Sequence, residues 1–221
     1  MSFGTDKPMD VFGGKWENYT EKLYENWQST VTDNDLVIVP GDISWAMYIE
    51  DAYKDFDFIN KLNGKKVILK GNHDYWWTTL KKMEEYLESN GFDTIKILNN
   101  NAVAFEDTAI CGTRGWSIPE ENATEEDVRI YDREKKRLIL SLEQATMLRC
   151  RRIIVGMHYP PADKNRLCGD FLEIMSQYNV DCCVYGHLHS YSHSRAVEGD
   201  VNGTKLRLVA GDYINFTPVL V

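Results

Sequence analysis

No apolar run in the sequence approaches 18 residues, which excludes a membrane-spanning helix. The start, Met1-Ser2-Phe3-Gly4-Thr5-Asp6-Lys7, has no basic patch followed by an apolar stretch, so it does not read as a secretory signal. No Cys-x-x-Cys occurs among the five cysteines, Cys111, Cys150, Cys168, Cys182 and Cys183. An odd, unpaired set of this kind reads as reduced, mostly buried thiol in a cytoplasmic protein. Positive charge is in deficit: 25 Lys and Arg face 34 Asp and Glu, a net charge of -9. A general nucleic-acid-binding surface is thereby excluded, because a phosphate backbone demands a basic stripe. Internal repeats, low-complexity tracts and Pro/Gly/Ser linkers are also missing, which leaves one domain over residues 1–221. What is present is a globular balance, 43% hydrophobic and 27% charged over 221 residues. A chain this long buries about 70% of its surface, enough for a core without disulfide or structural metal.

The apolar spacing changes along the chain. Residues 14–31 place Trp16, Tyr19, Leu23 and Trp27 at helical spacing, and residues 46–62, 78–89, 125–149 and 170–177 also read as helices. Short apolar runs at 35–40, 66–70, 152–157, 181–185 and 206–210 read as buried strands. Residues 94–98, 102–105 and 109–111 read as three strands at hairpin spacing. Two runs of strands with helices outside predict a layered α/β fold built on two packed sheets.

Chemistry-bearing residues collect where the strands end. Gly41-Asp42 follows one strand and Gly71-Asn72-His73-Asp74 a second; His158 closes a third; Gly186-His187-Leu188-His189 follows a fourth. Ligand sites gather at the carboxyl ends of strands in open α/β sheets, and a preceding glycine permits the sharp turn that aims a polar group off the strand axis. Alone, a Gly-Asp after a strand is an ordinary turn and a lone strand-end histidine an ordinary core residue. Four of the five histidines falling inside these motifs is not ordinary.

In order and strand-end context these motifs resemble the calcineurin-like metallophosphoesterases, whose pattern runs Asp-x-His, Gly-Asp, Gly-Asn-His-Asp/Glu, a single His and Gly-His-x-His. The resemblance runs from Asp35 through Asp212. It implies a four-layer fold, a central two-sheet β-sandwich flanked by helices, with metals at one edge. It further implies that Asp42 is a bridging carboxylate, that Asn72, His158 and His187 complete a second metal site, and that His189 serves the first. His73 resembles the catalytic histidine facing the leaving-group oxygen, with Asp74 bonded to its other ring nitrogen to set the tautomer. The implied reaction is hydrolysis of a phosphoester by a metal-bridging hydroxide. A mixed N/O ligand set suits Mn, Fe or Zn better than Mg or Ca.

The first element is absent. His73 is the first histidine, so no Asp-x-His precedes Asp42, and neither Asp6 nor Asp10 has a histidine two residues later. The expectation is therefore a chain that starts about one strand late, or one that has lost its first metal site. Either way it should hold one metal firmly where a full-length relative holds two, and should self-associate through the exposed sheet edge or fill that edge with its own first ten residues. Two functions follow: a metal-dependent phosphoesterase acting on a small phosphorylated substrate, or a non-catalytic homologue that binds metal or phosphate without turnover. A structural zinc module is excluded for want of a closed cysteine-rich ligand set. Mononucleotide, dinucleotide, phosphoprotein and small phosphomonoester all remain open as substrates.

Other residues read two ways. Trp45, Tyr75, Trp76 and Trp77 are packing residues or a wall covering a substrate. Arg114 is a surface residue or a substrate-binding arginine whose fork grips phosphate. His193 is an exposed or supporting residue, the charge runs 120–127 and 129–137 a solvated helix face, and Cys182 and Cys183 strand residues rather than ligands.

Overall fold

The computed structural model describes residues 1, 3, 9, 13–164 and 169–221. Cys168 and most of the first ten residues, expected above to fill a sheet edge, lie outside that set. Helix α1 (Tyr19–Thr30) leads into a β-α-β-α-β run: β1 (Leu36–Val39), α2 (Tyr53–Asn60), β2 (Lys65–Leu69), α3 (Leu80–Ser89) and β3 (Ile95–Leu98). The three strands pair in parallel in the order β1-β2-β3, as helical crossovers require. The chain then forms β4 (Ala102–Phe105), β5 (Thr108–Thr113), α4 (Glu125–Met147), β6 (Arg152–Met157), α5 (Asp170–Gln177), β7 (Cys182–Tyr185), β8 (Gly199–Val201) and β9 (Thr204–Leu208). These strands make a second sheet in the order β4-β5-β6-β7-β9-β8, parallel through β5, β6, β7 and β9, with an antiparallel hairpin at each edge.

Alternation along the strands sorts the cores. Val67 and Leu69 of β2 face Ile110, Ile154, Cys182 and Val184 of the larger sheet and form the layer between the two sheets. Ile68 turns the other way, to Phe56, Ile59, Met83 and Leu87 of α2 and α3. On the far side Val155, Met157, Cys183 and Tyr185 pack against Leu138 and Leu142 of α4 and Phe171, Leu172 and Met175 of α5. The result is helix, sheet, sheet, helix: the metallophosphoesterase-like four-layer fold. Helix α1 packs at the side, where Trp27 and Val31 meet Val37, Val39 and Leu62. β1 is an edge strand of the smaller sheet.

Four expectations need correction. β3 is no part of a meander with β4 and β5; it pairs in parallel with β2, and only β4–β5 is a hairpin. The Asn99-Asn100-Asn101 stretch carries the chain from one sheet to the other, with Asn100 at φ 62 and the Asn101 side chain accepting from the Asn99 amide at 2.7 Å. The helix expected over 46–62 begins as a 3-10 turn at Ile49 and is α-helical only from Tyr53. The helix expected over 14–31 likewise opens with a 3-10 turn, Gly14–Trp16, and turns α-helical at Tyr19. The face of α4 read as solvated holds Glu134, which is fully buried. Its approach is set by a capping box in which the Thr124 hydroxyl accepts from the Asp127 amide and Asp127 accepts in return.

Candidate metal centre

The carboxyl ends of both sheets meet at one edge. There the backbones of Gly41, at φ 93 after β1, and Gly71 after β2 lie against each other. A side-chain carbon on Gly41 would come 2.6 Å from Gly71 Cα, and one on Gly71 would come 2.1 Å from Asp42 Oδ1. Only glycine permits this approach. Asp42 and His187 adopt left-handed backbone, at φ 56 and 67, conformations that other residues hold only when their surroundings impose them.

Asp74 imposes the first. Its buried carboxylate accepts from the amides of Gly71 (2.7 Å), Asp42 (2.8 Å), Ile43 (2.8 Å) and Ser44 (3.1 Å) and from the Trp76 indole (3.0 Å). Five donors exceed the roughly four lone-pair sites of a carboxylate. Asp74 thus ties the β1 and β2 loops together, and the expected bond to the His73 ring is not among its contacts. Burial, then the charge of Asp42, pushes its carboxyl up to about 6, against the amides of Gly71 and Ser44.

Four of the expected ligands come together. His158 Nδ1 faces the Pro40 carbonyl at 2.9 Å, an acceptor only, so the ring proton sits on Nδ1 and Nε2 presents a lone pair. That Nε2 lies 2.6 Å from Asn72 Oδ1, 3.2 Å from His187 Nδ1 and 3.6 Å from Asp42 Oδ2; His187 Nδ1 is 3.0 Å from Asn72 Oδ1. Asp42 Oδ1 is occupied by the His73 amide at 2.9 Å, which leaves Oδ2 turned to this point. Both imidazoles are held neutral. Burial lowers His158, and burial followed by the neighbouring His158 pushes His187 down to about 4. Carboxylate oxygen, amide oxygen and imidazole lone pairs therefore converge where no strong donor serves them all. Among the described residues no three His, Cys, Asp or Glu side chains alone are arranged to hold a metal. The amide of Asn72 is the shared member here, and with it the donor set fits a divalent cation that takes nitrogen and oxygen.

His189 makes no hydrogen bond or ion pair to this group among the described residues and is held from another side. Its Nδ1 lies 2.7 Å from Asp212 Oδ1, and Asp212 also accepts from the Ser190 amide and faces His193 Nε2 at 3.2 Å. Burial opposes ionisation of Asp212, yet the bonds from His189 and Ser190 hold it down at about 2. Asp212 escaped the sequence reading although Gly211-Asp212 follows β9 just as Gly41-Asp42 follows β1. The Pro40 carbonyl has no sequence signal at all.

The aromatic residues divide. Trp76 is buried core; Trp45 stacks on His73; Tyr75 stands edge-on to His73 at 6.2 Å. Arg114 lies over Trp116 at 4.7 Å, and its carbonyl accepts from the amides of His158 and Tyr159. Cys182 and Cys183 are buried strand residues, as expected.

The calcineurin-like phosphoesterase family matches residues 12–191. The chain belongs to that family. Membership points to metal-dependent phosphoester hydrolysis as the coarse activity. No curated protein matches the sequence. Among solved structures, one of a Thermus thermophilus protein is 13% identical with a TM-score of 0.55, covering 79% of this chain and 78% of its own. Another is 17% identical with a TM-score of 0.57, covering 87% and 85%. A protein of unknown function from Aquifex aeolicus is 15% identical with a TM-score of 0.47, covering 99% and 92%. The first two share the family's fold with this chain. No helix among the described residues is long and apolar enough to cross a membrane.

Proposed function

We propose that this protein hydrolyses a phosphoester of a small molecule, with a divalent cation held by Asp42, Asn72, His158 and His187. The observation that carries the reading is the convergence of Asp42 Oδ2, Asn72 Oδ1, His158 Nε2 and His187 Nδ1 at contacts of 2.6–3.6 Å. Acceptors gathered in this way repel one another unless a positive charge sits among them. A cation held there acidifies water toward a pKa of ~7 and withdraws charge from a phosphoryl oxygen. The protein's own groups do the rest. Pro40 fixes the tautomer of His158, Asp74 fixes the Asp42 loop, and His73, stacked on Trp45, is the group we assign to protonate the leaving oxygen. Arg114 is assigned to bind the substrate. We read one firmly held cation, because His189 makes no hydrogen bond or ion pair to the other four ligands among the described residues and is instead engaged by Asp212.

The test is elemental analysis of the purified chain and of Asp42→Ala and His158→Ala, with hydrolysis of 4-nitrophenyl phosphate and its bis-aryl diester measured after loading with Mn, Fe or Zn. One tightly bound metal and turnover in the parent, both lost in the variants, support the reading. Equal metal content in parent and variants overturns the ligand assignment. Metal bound without turnover of either ester leaves the non-catalytic binding alternative.

A further inference from the structure

Beside the metal centre lies a pocket of about 260 Å³ whose walls include Lys70, Trp77, Asn99, Arg114, Glu134 and Arg137. It adjoins the centre through the chain itself: Lys70 precedes Gly71-Asn72, and the Arg114 carbonyl accepts from the His158 amide at 3.1 Å. Three cations stand here against one carboxylate, two positive charges in excess. That carboxylate is largely spent, because Glu134 binds Arg137 at 2.6 Å and the Thr113 hydroxyl at 2.6 Å, and Arg114 reaches it only at 3.8 Å. Two donors are left over. Lys70 makes no hydrogen bond or ion pair among the described residues, and the buried Nε of Arg114 has no acceptor.

We propose that this pocket binds a second, non-scissile phosphate, so that the substrate is a small molecule carrying two phosphoryl groups. The inference rests on the metal-centre reading for its first phosphate and on the pocket for its second. A phosphate carries about -1.5 to -2 at neutral pH, which matches the excess of two; a carboxylate neutralises only half of it. Arginine's fork and lysine's point charge are the usual phosphate partners. The volume falls below the ~300–1,000 Å³ that encloses a whole drug-sized ligand, so the pocket takes one end of the substrate.

Calorimetry of the full chain with methylenediphosphonate and with methylphosphonate tests this, both metal-loaded and after chelation. The two-phosphonate probe should bind the loaded chain at least ~10-fold tighter than the one-phosphonate probe. Lys70→Gln and Arg137→Gln, checked for folding by circular dichroism, should each bring that ratio close to one. Equal affinity for both probes in the parent, or a preference that survives both substitutions, overturns the proposal. The chelated chain separates the two readings. Diphosphonate binding there that the variants lose upholds the pocket even where metal analysis fails. A chain that binds metal and hydrolyses a monoester without the diphosphonate preference upholds the centre and not the pocket.

Discussion

The imidazole of His73 lies against the indole of Trp45, ring centroids 3.9 Å apart and planes 31° from parallel. The contact limits the ring to one plane. Trp45→Ala should therefore lower kcat about 10-fold on an alkyl phosphate, whose leaving oxygen needs a proton, and little on 4-nitrophenyl phosphate. His73→Ala should show the same split at ~10²–10⁴-fold. Equal losses on both esters in either variant would refute acid assistance by His73.

Metal should stabilise the fold through the four converging ligands. At a free concentration of 100 times Kd, binding adds about 2.7 kcal/mol. For a chain of this length that is a rise in Tm of roughly 5–11 °C over chelated protein. Asp42→Ala should abolish the rise while folding normally without metal, which differential scanning calorimetry reads directly.

Asp74→Asn should cost about 2–4 kcal/mol in urea denaturation, because an amide turns a donor toward backbone amides that had a carboxylate. Metal affinity should fall with it, since Gly71 and Asp42 lose their common anchor. A residue serving only to orient His73 would leave both quantities unchanged and lower kcat alone.

Lys66 supplies a pH dependence remote from the centre. Its fully buried ammonium donates to the carbonyls of Leu62 (2.6 Å) and Gly64 (2.8 Å), and burial pushes its pKa down from 10.5 to about 8. The folded value is the lower one, so between about pH 8 and 10.5 the unfolded chain holds more protons than the folded. Stability from this group rises with pH across that window, by up to about 3 kcal/mol. Lys66→Met should flatten the slope of urea stability between about pH 8 and 10 relative to the parent.

The sequence displayed the strands and their polar ends because each motif is local: an apolar run of four to six residues, a turn, a ligand type. What it hid was pairing. β3 and β4 have the spacing of a hairpin, yet the turn at Asn99–Asn101 swings the chain into the other sheet, a choice made by what each strand buries. The β8–β9 hairpin carried the strongest short turn signal, Asn202-Gly203 with both residues at positive φ, and still went unread because β8 is three residues long and mostly exposed. Asp74 was expected to serve His73 because the two are neighbours in the motif. Its real partners are amides some 30 residues earlier, which no motif spells out. Glu134 and Arg137 lay inside a charge run, where only the helical period shared with Leu138 and Ser141 marks the buried face.

The centre is assembled from distant parts of the chain. Its contacts join Pro40 to His158 across 118 positions, Asn72 to His187 across 115 and Asn72 to His158 across 86. Each of these bonds crosses from the smaller sheet to the larger one. No isolated β-α-β unit can build the centre, so during folding it appears only when the two halves dock, after the local pairings are made. On mild heating or in dilute urea, the same order runs in reverse. The ligands part as the seam between the sheets loosens, while the helices and parallel ladders on either side still stand.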